Sequence, residues 1–300
     1  MRLLIALALA ALAAPILAQD ALVTTEWVAQ HAADPSVRIL EVSVDPGVYE
    51  KGHVKGAVGV KWHSELADPV RRDIVSRDAF VANCQRWGIA KDTTVVLYGD
   101  NNNWFAAWGY WIFATYGHAN VKLMDGGRVK WELEKRPWDL AIPTPAPTQY
   151  TVDKVATDLR VRLADVTAAV EKKSAVLVDV RSPDEFTGKV IAPPGVQELA
   201  IRAGHIPGAK NVPWKQAVKD DGTFKPVEEL RKLYADAGAD GSKPIITYCR
   251  IGERSSHSWF VLKELLGYDD VRNYDGSWTE YGNAVGVPIE NEAGTVWTGK

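Results

Sequence analysis

Thr94 to Gly127 reads "TVVLYGDNNNWFAAWGYWIFATYGHANVKLMDGG", and Pro244 to Ser277 reads "PIITYCRIGERSSHSWFVLKELLGYDDVRNYDGS". The two stretches align without a gap at a constant offset of 150 residues, pairing Tyr98 with Tyr248, Gly117 with Gly267, Val121 with Val271 and Asp125-Gly126 with Asp275-Gly276. Upstream, "EKGHVKGAV" (Glu50 to Val58) answers "RAGHIPGAK" (Arg202 to Lys210), and "RILEVS" (Arg38 to Ser43) answers "VLVDVR" (Val176 to Arg181). The chain therefore carries two copies of one fold. Between them "IPTPAPTQY" (Ile142 to Tyr150), with prolines at 143, 145 and 147, suits an extended connection.

In each copy, short β-rich runs alternate with helical ones. The second copy predicts strands at Val176–Val180, Pro244–Tyr248 and Val271–Tyr274, a helix over Pro226–Gly238, and an amphipathic helix over Ser255–Leu266 stopped by Gly267. Such alternation implies an α/β fold whose mostly parallel sheets are flanked by helices, with ligands at the carboxyl ends of the strands.

Composition narrows the class. The chain has 300 residues, 46% hydrophobic and 24% charged, enough for two globular domains with substantial cores. A net charge of −3 gives no electrostatic basis for a nucleic-acid partner, so basic chemistry has to be local. Many of the twelve tryptophans are expected in cores or at an interface between the copies. Met1-Arg2 followed by an apolar run to Ala14 and a small-residue end at Ala18 has the layout of a cleaved secretory signal; an uncleaved anchor would need about 17 to 25 apolar residues. These features predict export, to the periplasm if the source is bacterial, and no membrane association after cleavage. No other segment is apolar over a bilayer's width.

Only Cys84 and Cys249 are cysteines. Cys84, in "AFVANCQRWGI", falls on the apolar side of a helical pattern and is expected in the core, leaving Cys249 a free thiol. Cys249 leaves the strand "IITY" and enters "CRIGERSS", a tight loop before a helix. There Gly252 permits a turn closed to other residues. Amides converging on a helix N-terminus form an anion nest, and Arg250 and Arg254 add two positive charges. Cations and amides around a sulfur favour the thiolate, the nucleophilic form, and would also hold an anionic substrate against it. A buried inert thiol needs none of these neighbours. His205 and His257 are expected to make structural hydrogen bonds, since an ionised thiol needs no general base. "DNNNW" (Asp100 to Trp104) lacks the alternating acids of a calcium loop, and no zinc spacing occurs. Neither a metal nor another cofactor is called for.

At these residues the chain resembles the two-domain rhodanese family, and within it the thiosulfate sulfurtransferases. The resemblance rests on the duplication, on "LVDVR" (Leu177 to Arg181), "GHIPGAKNVPW" (Gly204 to Trp214), "YDGSW" (Tyr274 to Trp278) and above all on "CRIGERS" (Cys249 to Ser255). With the leader-like stretch set apart as a signal peptide at 1–18, it implies an inactive rhodanese domain at 19–142, a linker at 143–157 and a catalytic rhodanese domain at 158–300. The first copy has lost the nucleophile: Gly99 stands at the place of Cys249, Asp100 at that of Arg250 and Trp104 at that of Arg254. By the resemblance, Cys249 takes the outer sulfur of thiosulfate as a persulfide, releases sulfite, and passes the sulfur to cyanide, a thiol or a small redox protein. Arg250, Gly252, Arg254 and Ser255 would bind the substrate, while Trp104, Phe105 and Ile251 would line the pocket. Animal mitochondrial members carry basic residues where this chain has Glu185 and Ile251. Donor binding then falls to Arg250 and Arg254, with Arg181 or Arg202 as further sources of charge unless Arg181 pairs instead with Asp184 or Asp179. Three other activities remain open. Mercaptopyruvate sulfurtransferases have a neutral loop after the cysteine, a non-catalytic sulfur-carrier module would use the same cysteine, and phosphatases of related fold use Cys-x5-Arg, one residue longer than the Cys-x4-Arg here.

Overall fold

The computed structural model describes residues 21–195 and 200–296; the leader-like segment Met1–Ala18 lies outside them. In chain order the strands are β1 (Leu22–Val23), β2 (Val37–Glu41), β3 (Val58–Gly59), β4 (Ala67–Asp68), β5 (Asp73–Ile74), β6 (Thr94–Tyr98) and β7 (Val121–Met124) in the first half. The second half has β8 (Val176–Asp179), β9 (Lys210–Asn211), β10 (Ile245–Tyr248) and β11 (Val271–Tyr274). Among the described residues the first half builds a parallel sheet in the order β1-β7-β6-β2-β3, the second a parallel sheet in the order β11-β10-β8-β9, and β4 and β5 form a small antiparallel pair. Strand β10 pairs with β8 and β11 on either side, so all four of its residues are buried; this is why "PIITY" reads as a continuous apolar run.

The duplication extends to single hydrogen bonds. Val42 N donates to Tyr98 O in one half and Val180 N to Tyr248 O in the other, while the two tyrosine hydroxyls accept from Val54 N (2.8 Å) and Ile206 N (3.2 Å). A buried acid ends the equivalent strands, Glu41 on β2 and Asp179 just before the loop after β8. Each meets an arginine drawn from a different place in the chain. Arg128 pairs with Glu41 at 2.9 Å and donates to Gly52 O, whereas Arg181 chelates Asp179 (3.0 and 3.1 Å from Nε) and donates to Gly204 O; both donate at 2.7 Å to carbonyls that match in the repeat. Both guanidinium groups also lie over a tryptophan, Trp138 at 4.1 Å and Trp278 at 4.8 Å.

The halves share one apolar core. The helix Trp104–Thr115 packs on the helix Glu253–Phe260, with the Tyr110 and Phe260 rings edge-to-face at 4.8 Å. Polar contacts rim this interface: Lys130 pairs with Asp221 at 2.9 Å, Phe224 N donates to Asp125, and Arg160 bridges Asp73 and Asp275. Cys84 is buried in this core with its thiol in no disulfide, and burial pushes its thiol pKa up.

Asp179 and Arg181 are both buried, so removing one leaves the other an uncompensated charge. Arg181→Met is expected to cost about 3 to 5 kcal/mol in urea unfolding, and adding Asp179→Asn to recover much of that loss.

Candidate active site

Cys249 follows the last residue of β10, and the next helix begins at Glu253, two residues earlier than its sequence pattern suggests. The helix is capped by Gly252, which lies at φ +105°; a Cβ there would approach Asp275 Cα to 2.8 Å. This turn aims Gly252 N–H at Cys249 Sγ, 3.1 Å away. Cys249 N donates to Ser277 Oγ at 3.0 Å, and that hydroxyl donates to Tyr274 O at 2.7 Å, so its lone pair rather than its proton faces the cysteine amide.

A buried polar knot holds the turn. Gly252 O accepts from Ser256 N (3.1 Å), Ser256 Oγ (2.8 Å) and Asn273 Nδ2 (3.3 Å). Ser255 Oγ lies 2.6 Å from Asn273 Oδ1 and 2.9 Å from Gly252 O, and Thr247 Oγ1 donates to Ser255 O. Ser255, expected at the substrate, thus has its hydroxyl engaged inside the protein. Asn273 and Ser277 hold the loop from β11 and the turn after it. Sequence reading included Ser277 only within "YDGSW" and Asn273 only within the aligned repeat, because the partners that give both their role come from other elements.

Arg254 reaches back to Glu185, its Nη1 and Nη2 donating at 3.1 and 3.0 Å to the two carboxylate oxygens. The Arg254 side chain is 11% exposed and that of Glu185 1%. Burial works against charge on both, but each overcomes it through the other: Glu185, with the Cys249 sulfur nearby, holds the Arg254 pKa above its usual value, and Arg254 holds Glu185 below the usual carboxylate range. Neither Arg181 nor Arg202 lines the cleft, although the Arg181 charge adds to that of Arg254 in holding Glu185 ionised. The first is spent on Asp179 and Gly204 O, and the second donates to the carbonyls of Tyr281, Gly282, Ala284 and Val287, knitting the C-terminal turns.

Two lobes of a cleft meet at Trp104, Arg250 and Arg254. One, of about 460 Å³, is lined by Trp104, Trp214, Pro183 and Pro213 together with Glu185 and Lys215. The other, of about 440 Å³, is lined by Phe105, Ile251, Trp62 and Glu253 among others. Trp104, Phe105 and Ile251 line this cleft, and the Trp104 ring lies 5.3 Å from that of Trp214 across the domain boundary. Cys249 itself has no exposed surface; its loop neighbours face the cleft.

The first copy builds the same turn without a nucleophile. Gly99 N donates to Asn103 Oδ1 at 2.9 Å, and Arg128 N donates to Gly99 O as Trp278 N does to Cys249 O. Asp100 accepts from Val44 N and Asp45 N, which makes it a loop clamp. His205 makes the expected structural bonds, to Phe186 O (2.8 Å) and Glu290 (2.9 Å). His257 departs from expectation: neither ring nitrogen has a partner among the described residues, and the ring is packed between Phe224 and Trp214, where burial lowers its pKa to about 3. Among the described residues no acidic, histidine and cysteine cluster is placed to hold a metal, and no helix is long and apolar enough to cross a membrane.

The Rhodanese-like domain model matches residues 24–134 and again 163–284, so the chain belongs to the rhodanese family and is a tandem of two such domains. A provisionally named thiosulfate sulfurtransferase of Mycolicibacterium smegmatis is 54% identical over 272 residues, covering 90% of this chain and 98% of that protein. The sulfur carrier protein TtuD of Thermus thermophilus is 52% identical over 274 residues, covering 90% and 96%. Among solved structures, the 3-mercaptopyruvate sulfotransferase SseA of Escherichia coli superposes with a TM-score of 0.73 at 25% identity, over 86% of this chain and 98% of that one. An anaerobic ergothioneine biosynthesis enzyme of Chlorobium limicola shares the fold at a TM-score of 0.81 and 23% identity, over 91% of this chain and 71% of that one.

Gly252→Ala is expected to slow reaction of Cys249 with a small thiol-directed reagent by about 100-fold, because the Cβ would force the loop away from the sulfur. Gly208→Ala, with a positive φ of +77° but nothing within 4 Å, should cost stability and leave that reactivity intact. His257 is expected to steepen acid unfolding. Between pH 6.5 and about 3 the unfolded chain binds a proton that the buried imidazole refuses, so stability falls as pH falls through that window. In urea titrations at several pH values, His257→Leu should flatten this part of the acid limb.

Proposed function

We propose that this rhodanese is a thiosulfate sulfurtransferase with Cys249 as nucleophile. The thiolate attacks the outer sulfur of thiosulfate, the S–S bond to the sulfonate sulfur breaks, and sulfite leaves with the electron pair. The resulting Cys249 persulfide anion then gives its outer sulfur to cyanide or a thiol, regenerating the thiolate. The observation that carries this reading is the Gly252 N–H pointed at Sγ within a turn that opens toward two arginines. Amides of the 250–255 loop would stabilise the persulfide, and Arg250 and Arg254 would bind the donor and the departing sulfite. Because Cys249 has no exposed surface, donor access requires a side chain of the cleft to swing aside. The two loop arginines favour thiosulfate over mercaptopyruvate. The leader-like Met1–Ala18 supports export, with a small anionic sulfur donor and a thiophilic acceptor as partners.

A second reading, a stoichiometric sulfur carrier, is favoured by the likeness to the Thermus protein. Mass measurement after thiosulfate treatment separates the readings. A gain of about 32 Da that is absent in Cys249→Ser, followed by many turnovers of sulfite release when cyanide is added, is expected for the enzyme. One turnover alone would indicate the carrier, and no gain would refute both. Arg254→Ala is expected to raise the thiosulfate KM by about tenfold or more, and Asp100→Asn to leave it nearly unchanged; equal effects in steady-state kinetics would contradict the assigned roles.

A further inference from the structure

Glu185 stands where a cation is expected, and it is held from two directions. Its carboxylate takes both terminal nitrogens of Arg254, while Oε2 also accepts from Ser182 N (3.1 Å) and Ser182 Oγ (3.0 Å). Ser182 Oγ lies 3.2 Å from Glu185 N, so these contacts form the capping box of the short helix Pro183–Phe186. The acid is thus locked against the arginine and faces the donor cleft. Of the charged side chains lining the two lobes among the described residues, Arg250, Arg254 and Lys215 are positive, and Glu185 and Glu253 negative. These described side chains together carry one net positive charge, less than a dianion needs for neutralisation.

We propose that Glu185 is a specificity-determining residue of the sulfur-donor site, which offsets the charge of Arg254 and so weakens binding of doubly charged sulfane donors relative to singly charged ones. This rests on the sulfur-transfer reading above. The physical reason is that Coulomb energy scales with the product of the charges. A carboxylate in the site repels a dianion twice as strongly as a monoanion at the same place. Removing that carboxylate therefore improves dianion affinity by the square of the factor gained by a monoanion.

The substitution Glu185→Gln tests this, because glutamine also closes a capping box and its amide oxygen still accepts from Arg254. The two donors are thiosulfate and methanethiosulfonate, a monoanion that transfers the same outer sulfur to Cys249 and releases methanesulfinate instead of sulfite. With cyanide as acceptor, both give thiocyanate. The expected result is a thiosulfate KM lowered about tenfold and a methanethiosulfonate KM lowered about threefold, with kcat little changed. Ser182→Ala, which breaks the capping bond and keeps the charge, should leave the ratio of the two KM values as in the wild type. Equal shifts for both donors, no shift, or the same change of ratio in Ser182→Ala would overturn the proposal and make Glu185 a structural residue. Should Glu185→Gln not fold, the wild type decides: a thiosulfate kcat/KM about tenfold or more above that of methanethiosulfonate overturns the proposal, and a smaller or reversed preference upholds it. If wild-type protein gains no sulfur from either donor, the sulfur-transfer reading itself fails and takes this inference with it.

Discussion

The hydrogen bond from Gly252 N to Cys249 Sγ is the contact on which the rest of the site depends. To make it, the chain must pass from a buried strand into a helix within four residues, Cys249 to Gly252, while turning an amide back toward the sulfur. Only a residue without a Cβ fits between that turn and Asp275, and only a dense set of hydrogen bonds keeps it there. Asn273, Ser255, Ser256 and Ser277 supply those bonds from the helix, from β11 and from the turn that follows it. All four are buried, which makes their polar groups costly unless every one is paired. Rigidity of the loop is thus a consequence of burying serine and asparagine where the other copy has apolar residues or glycine.

That comparison explains the division between the halves. At the repeat offset, Ser255, Ser256 and Asn273 correspond to Phe105, Ala106 and Leu123, and Ser277 to Gly127. The first copy keeps the strand-to-helix turn, with Asn103 bonded to Gly99 N, but has no sulfur to serve. Freed from that task, the helix Trp104–Thr115 has become apolar nearly all round and fills the interface with the second domain. Its first residues, Trp104 and Phe105, then close the cleft over the cysteine loop. One copy carries the cysteine loop and the other supplies a wall and a core.

Much of this could be read in the sequence because it is local or repeated. The 150-residue offset exposed the duplication, the apolar run before Cys249 located β10, and "CRIGER" revealed the turn. What escaped was long-range pairing of charge. Arg254 and Glu185 are 69 residues apart, and nothing in either local pattern links them. Arg202 looked available for an anion because its four carbonyl acceptors, some 80 residues on, emerge only when the chain folds, whereas the pairing of Arg181 with Asp179, two residues back, was among the alternatives open in the sequence. His257 illustrates a different limit. A polar residue on a helix is expected to find a partner, yet here aromatic packing around the ring decided its place.

Together these features describe a sulfur atom seated in a preformed, partly positive turn at the junction of two domains, with the cleft's charge reduced by a buried acid. Preformed amides need no reorganisation when negative charge moves onto a second sulfur, which is the advantage a rigid loop offers over solvent. The most direct measurement is a crystal structure of the thiosulfate-treated protein. The account predicts one added sulfur bonded to Cys249 Sγ and within hydrogen-bond reach of the amides of the 250–255 loop. An unmodified cysteine, or an added sulfur turned away from those amides into the cleft, would contradict it.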